Sequence, residues 1–184
     1  MTRLVLVGPP GAGKGTQAVA LSQRLSIPHI STGDLFRAHV AEQTPLGEEA
    51  KRYLDSGELV PDSVTNEMVR ERLAESDTKA GFLLDGFPRN TKQAQVLGEM
   101  LGESDSRIDA VIQLDVPEDV LVERLLGRGR TDDTEEVIRR RQQVYQSETA
   151  PLLDYYSAIL VKVDGVGEVD EVSTRIVNAL DARS

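Results

Sequence analysis

The feature that most constrains this chain is Gly8-Pro9-Pro10-Gly11-Ala12-Gly13-Lys14-Gly15-Thr16, which follows the apolar run Leu4-Val5-Leu6-Val7 and opens a helical pattern lasting to Leu25. Strand, glycine-rich loop and helix start, in that order, build a place for an anion. Glycines let the backbone turn its N–H groups inward around a phosphate chain, the helix N-terminus adds the positive end of its dipole, and Lys14 adds a mobile charge. From Gly8 to Lys14 the spacing fits G-x-x-x-x-G-K-[ST], but Gly15 stands where the hydroxyl is expected and Thr16 follows one place later. A glycine-rich turn with a chance lysine is the plainer reading, and the agreement of strand, loop and helix argues against it.

Length and charge narrow the setting. At 184 residues the chain has room for one well-buried domain and not for two of full size. With no cysteine, disulfides and thiolate metal sites are excluded, and His29 and His39 are too few for a histidine-based zinc centre. Met1-Thr2-Arg3 precedes only four apolar residues, too few for a signal-peptide core, and no later run reaches membrane-spanning length. A cytoplasmic protein with no membrane partner is expected. The formal net charge of -10 repels nucleic acid over most of the surface, so the anion at the loop must be met by locally placed arginines.

Five strand candidates alternate with helices, which predicts an α/β fold: a doubly wound five-stranded parallel sheet with right-handed crossovers and helices on both faces. Ile27-Pro28-His29-Ile30 reads as a short buried strand ending at Ser31 and Thr32, which can cap a helix with Asp34 in its first turn. Residues 44–64 are polar and turn-rich, and Pro61 and Asp62 then start a helix to about Glu75 with Val64, Met68 and Leu73 on its buried side. Phe82-Leu83-Leu84 ends in Asp85 at the strand's carboxyl end, where open parallel sheets bind ligands. Residues 108–116 read as a strand buried on both faces, and residues 158–163 as the last strand. In the helix after Pro117, Arg124 falls among Val120, Leu121 and Leu125; Arg128, beside Gly129, also suits a helix C-terminus as plain dipole complement. The helix predicted from Thr134 to about Glu148 carries an apolar stripe of Val137, Ile138, Val144 and Tyr145, with Arg141 projecting from its middle. Burying that charge unpaired would cost several kcal/mol, so Arg141 is expected to meet carboxylates or phosphate, whereas Arg139 points away as solvated charge.

The loop ending G-K-G-T, together with STGDLFR, GELVPD, LLDGFPRN, GRGRTDD and the Arg141 helix, resembles the adenylate kinase family in family order over nearly the whole chain. The likeness is to the short-lid bacterial type, because the connection from Gly127 to Val137 lacks the long, often metal-binding insertion of other members. It implies a core of residues 1–30, 61–126 and 138–184, a small helical AMP-binding subdomain at 31–60 and a short lid at 127–137. The implied reaction is ATP plus AMP giving two ADP, with Mg2+, in adenine nucleotide homeostasis and AMP salvage. ATP would meet Gly11, Ala12, Gly13, Lys14, Gly15, Thr16, Arg124, Arg128 and the turn at Gly167. AMP would meet Thr32, Arg37, Glu58, Leu59, Val60, Gly86, Phe87, Pro88, Arg89, Gln93, Arg130 and Arg141. Lys14, Arg89, Arg124, Arg128, Arg130 and Arg141 would carry catalysis, and Asp85 would hold magnesium through water, with no zinc site. The implied partners are ATP, AMP and ADP alone, and the default assembly is a monomer.

Two readings compete with this. A UMP or CMP kinase shares most of these motifs, although Thr32 with Gln93 looks more like the AMP pattern. A nucleotide-dependent switch would bind and hydrolyse slowly, but the guanine-reading N-K-x-D motif is missing and a second phosphate site is present. On residues alone, GELVPD is a turn followed by an aspartate N-cap, and Gln93 is a glutamine on a helix.

Overall fold

Five parallel strands form the spine of the structure, a computed structural model that describes residues 2–9, 11–56, 58, 60–127 and 134–183. They are β1 (Thr2–Val7), β2 (His29–Ser31), β3 (Gly81–Asp85), β4 (Ala110–Asp115) and β5 (Leu160–Asp164), in the order β2-β3-β1-β4-β5. The helices are α1 (Lys14–Leu25), α2 (Thr32–Ala41), α3 (Pro45–Asp55), α4 (Asp62–Leu73), α5 (Thr91–Gly102), α6 (Glu118–Gly127), α7 (Glu135–Tyr155) and α8 (Val169–Asp181). This is the doubly wound α/β sheet that the sequence predicts.

Alternation along β1 sends Leu4 and Leu6 to one face and Val5 and Val7 to the other. The first face is covered by Ala18 and Leu21 of α1, Leu121 of α6, and Val172 and Ile176 of α8. The second is covered by Val69 of α4, Ala94, Leu97 and Met100 of α5, and Leu152 of α7. Burial on both sides explains why the central strands are almost uninterrupted Val, Leu and Ile. Register places Leu6 of β1 beside Asp85 of β3 and Ser31 of β2 beside Asp85 as well. All carboxyl ends therefore meet along one edge. The connections after β1 and β3, which are neighbours, leave to opposite faces of the sheet, through α1 and α5, and that is where an open α/β sheet has its crevice.

Ala50, Val64 and Met68 form a separate small core with Leu35, Phe36, Leu46 and Val60, joining α2, α3 and α4. Ser31 caps α2 by accepting from the Asp34 N–H, and Thr44 caps α3 by accepting from the Gly47 N–H at 3.0 Å. Gly47 is required there, since a Cβ would lie 2.0 Å from the His39 carbonyl oxygen.

Four expectations change. The fourth strand starts at Ala110 instead of 108, and the last one runs from Leu160. Leu73 is only partly buried, and Val69 takes the deeper place on α4. The helix expected to stop near Glu148 continues through Pro151 to Tyr155. A proline inside a helix loses a hydrogen bond and costs about 3 kcal/mol. Burial of Leu152 and Tyr156 in the second-face core, directly after that proline, offsets it.

Candidate active site

The chain passes from β1 into α1 through two residues that only glycine adopts easily: Gly11 at φ 88° and Gly13 at φ 84°. Gly13 occupies the cap of α1 and has no side chain to close the helix end, so the first-turn N–H groups are left for a ligand. A Cβ at Gly13 or Gly15 would meet nothing within 4 Å, because both face an open cleft. Ala12 is buried, and its N–H donates to the Pro9 carbonyl at 3.1 Å. Alanine at this position serves the loop's shape.

The cleft encloses about 760 Å³ and is walled by the loop, by Gly86, Pro88 and Arg89 after β3, by Arg124 and Leu125 of α6, and by Arg141, Val144, Tyr145, Glu148 and Thr149 of α7. Lys14 Nζ lies 3.1 Å from Asp85 Oδ1, and His29 Nε2 lies 3.2 Å from Asp85 Oδ2. Both carboxylate oxygens are thereby engaged. Burial by itself pushes the Asp85 carboxyl pKa up, but the His29 hydrogen bond and the Lys14 charge outweigh it and hold the group below the usual carboxylate range.

That shift has a signed consequence for stability. A carboxyl whose folded pKa is depressed binds fewer protons in the native state between its two pKa values, so stability rises with pH across that window. The contribution is complete above the unfolded value of about 3.9 and is lost as pH falls through the lower folded value. Asp85→Asn should therefore show a shallower loss of urea stability than the parent as pH is lowered from about 4. Parallel acid profiles for the two proteins would remove this account of Asp85.

The arginines arrive from three directions. Arg89 is exposed to the cleft and its Nε–H donates to the Gly86 carbonyl at 3.1 Å. Gly86 sits at φ 88°, and a Cβ there would be 2.7 Å from the Thr32 hydroxyl oxygen. Arg124 donates to the Gly11 carbonyl at 3.2 Å and to the Gly165 carbonyl at 3.3 Å, so it ties the loop to the turn after β5. Arg141 lines the cleft, but the environment read from its neighbours needs correction. It is exposed, Val144 is half exposed, and the buried positions of α7 are Ile138, Gln142, Thr149 and Leu152. The helix is rotated so that part of the supposed stripe is the cleft wall, which apolar and cationic side chains share. Arg139 is not plain solvated charge: it bridges Glu118 and Asp119 of α6 to Glu135 of α7.

Other expected residues stand away from this cleft. Phe87 is buried in the second-face core, and Thr32 is buried with its hydroxyl 3.4 Å from the Gly86 carbonyl. Arg37 is exposed and pairs with Asp34, Glu58 is exposed, and Val60 belongs to the small core of α2, α3 and α4. Gln93 is buried at 5% exposure, unlike a glutamine on an open helix face. Gly167 lies at φ 133° in a turn braced by Arg175, which donates to the carbonyls of Asp164 and Val166. Leu59, Arg128 and Arg130 lie outside the described residues, as does most of the expected lid.

Sequence reasoning missed His29, Asp62, Arg175 and Tyr145 as parts of this assembly. Arg175 had no signal, being one cation on a terminal helix. Tyr145 was read as core, yet it forms cleft wall, and burial pushes its phenol up to about 12, leaving a neutral hydroxyl. Among the described residues no group of three or more His, Cys, Asp or Glu side chains could hold a metal, and no helix is long and apolar enough to cross a membrane.

A cleft with free helix N–H groups at its floor and cations on three walls is suited to holding two phosphorylated groups end to end. A family model described as adenylate kinase matches residues 6–161. A protein named adenylate kinase from Nocardia farcinica is 61% identical over 178 residues, 97% of this chain and 98% of its own. Proteins of the same name from Rhodococcus erythropolis and Corynebacterium glutamicum are 60% and 58% identical over the same shares.

Proposed function

Because this chain belongs to the adenylate kinase family, whose phosphotransferases catalyse ATP plus AMP giving two ADP, we propose how its own residues divide that reaction. The floor of the cleft, Gly11 to Thr16 with Lys14, takes the donor phosphates. The adenine of ATP lies at the turn at Gly167, and Arg124 and Arg128 serve the transferring phosphoryl group as the lid closes. AMP lies between Thr32, Arg37, the 58–60 segment, Gly86 to Arg89 and Gln93, and Arg130 and Arg141 reach the phosphoryl group in flight. The observation that carries this division is the convergence of Lys14, Arg89, Arg124 and Arg141 on one cleft at the carboxyl edge of the sheet.

No general base is required. A phosphate monoester is largely dianionic near neutral pH, so its oxygen attacks without first giving up a proton. What remains is alignment of two anions and neutralisation of the charge that develops, which planar, bidentate guanidinium groups supply. The 31–60 and 127–137 segments close over the pair and exclude water, which would otherwise accept the phosphoryl group. The small core shared by α2, α3 and α4 supports movement of the first segment as a unit hinged near α4.

Asp85 fits a magnesium ion accompanying ATP. A hard cation that keeps most of its waters needs one well-placed carboxylate, and since both Asp85 oxygens are engaged by Lys14 and His29, a bridging water suits better than direct ligation. When bound, the ion would neutralise charge on the donor phosphates. The enzyme is proposed to act as a cytoplasmic monomer on ATP, AMP and ADP.

The test is ADP production from magnesium-ATP with AMP, UMP, CMP, GMP or water as acceptor. Strong preference for AMP, negligible hydrolysis and loss of activity on chelating magnesium are expected. A preference for UMP or CMP would reassign the acceptor, and hydrolysis indifferent to acceptor would replace the kinase with a switch.

A further inference from the structure

We infer that Asp62 holds the Gln93 side-chain amide in one sense and thereby makes the enzyme select a 6-amino purine over a 6-oxo purine as acceptor. The inference rests on the proposal that Gln93 meets the acceptor base.

Asp62 is the first residue of α4, and Gln93 lies in the first turn of α5. Gln93 Nε2 donates to Asp62 Oδ1 at 3.0 Å, and Gln93 Oε1 accepts from the backbone N–H of Arg89 at 2.8 Å. The second oxygen of Asp62 accepts from Asn90 Nδ2 at 3.4 Å, while Asn90 Oδ1 caps α5 by accepting from the Gln93 N–H at 2.9 Å. Asp62 thus orders two amides at once.

A side-chain amide has nearly the same shape whichever way round it sits, so only its hydrogen-bond partners decide its sense. Here both partners are one-sided: a backbone N–H can only donate and a carboxylate can only accept. Reversal would set an amide oxygen against a carboxylate and an amide NH2 against an N–H, losing both bonds. One sense survives.

That sense matters because the two purine types present opposite patterns. A 6-amino purine offers an acceptor at N1 and a donor at N6. A 6-oxo purine offers a donor at N1 and an acceptor at O6. After its internal bonds, Gln93 keeps a second N–H and a second carbonyl lone pair, which complement the first pattern and oppose the second. A freely reversible amide would match either base and discriminate between neither. Selection therefore resides in the two groups that prevent reversal, the Arg89 N–H and Asp62, of which Asp62 is the side chain, in the way that a site built for one hydrogen-bond pattern rejects the analogue lacking it. Asp62 lies off the cleft, so it acts on the base through Gln93 as a positioning residue.

The experiment compares kcat/KM for AMP and inosine monophosphate, with saturating magnesium-ATP, in the parent, Asp62→Asn, Asp62→Ala and Gln93→Ala. Asp62→Ala should lower the AMP-to-inosine ratio by about tenfold, the effect of one hydrogen bond to a charged group, and Asp62→Asn, whose amide can turn to accept or to donate, should lower it less. The KM for ATP should hold, and Gln93→Ala should lower the ratio at least as far. If Gln93→Ala lowers the ratio and the Asp62 variants keep the parental value, or lose both acceptors equally, the inference on Asp62 is overturned and Gln93 as base reader stands. If Gln93→Ala leaves the ratio unchanged, the reading of Gln93 fails first. Should the Asp62 variants not fold, side-chain amide NMR of the parent decides: one Gln93 Nε2 proton should exchange slowly with solvent, and fast exchange of both would overturn the lock.

Discussion

Lys14→Met should lower kcat by about 10²–10³-fold, the usual cost of removing one preorganised donor from a site where charge develops. Methionine keeps the length and apolar stem of lysine, so the helix start and the loop glycines are undisturbed. What is lost is the charge on the cleft floor, which in the free protein is held 3.1 Å from Asp85. On the proposed division, ATP binding draws that ammonium from the carboxylate to the phosphates. Steady-state kinetics with both substrates varied would check the prediction, with circular dichroism to establish the folded fraction. A rise in KM for ATP at constant kcat would mean that Lys14 binds ground state and transition state equally, and would remove it from the catalytic set.

Arg141→Ala should lower turnover by about a thousandfold, the lower end of what an arginine reaching a transferring phosphoryl group contributes. Its effect on stability should stay within about 0.5 kcal/mol, because the side chain is exposed on the cleft wall. Ile138→Ala on the same helix provides the contrast. Ile138 is 1% exposed, packed with Val122 and Leu125, and its truncation should cost about 2–5 kcal/mol. Urea melts alongside kinetics would separate the two. If Arg141→Ala instead unfolds like Ile138→Ala, the residue is a structural pair member and its catalytic role falls.

Much of the site was legible before any coordinates. Gly8 to Thr16 reads as a loop suited to an anion because the backbone freedom of glycine, the end of a strand and the start of a helix all lie within a few residues of one another. Asp85 was found from its place at a strand's carboxyl end. Arg141 was found for a mistaken reason: its apolar neighbours suggested burial, and the structure turns part of that surface toward the cleft. A helical stripe shows which residues share a side but not whether that side meets core or ligand. Arg139 failed in the opposite direction, since its acidic partners Glu118 and Asp119 lie on another helix.

By itself the sequence determined what is local: the alternation that makes a parallel sheet, the glycines at φ 88° and 84°, the caps at Ser31 and Thr44, and the cations available to phosphate. These follow from the preferences of single residues and near neighbours. The tertiary structure alone decided the order β2-β3-β1-β4-β5, the length of α7 beyond Pro151, and every pairing that tunes the site. Lys14 and His29 meet at Asp85, Arg124 joins Gly11 to Gly165, and Asp62 orients Gln93. Such contacts join residues far apart in the chain, and they form only because burying both faces of one sheet leaves its helices few ways to pack.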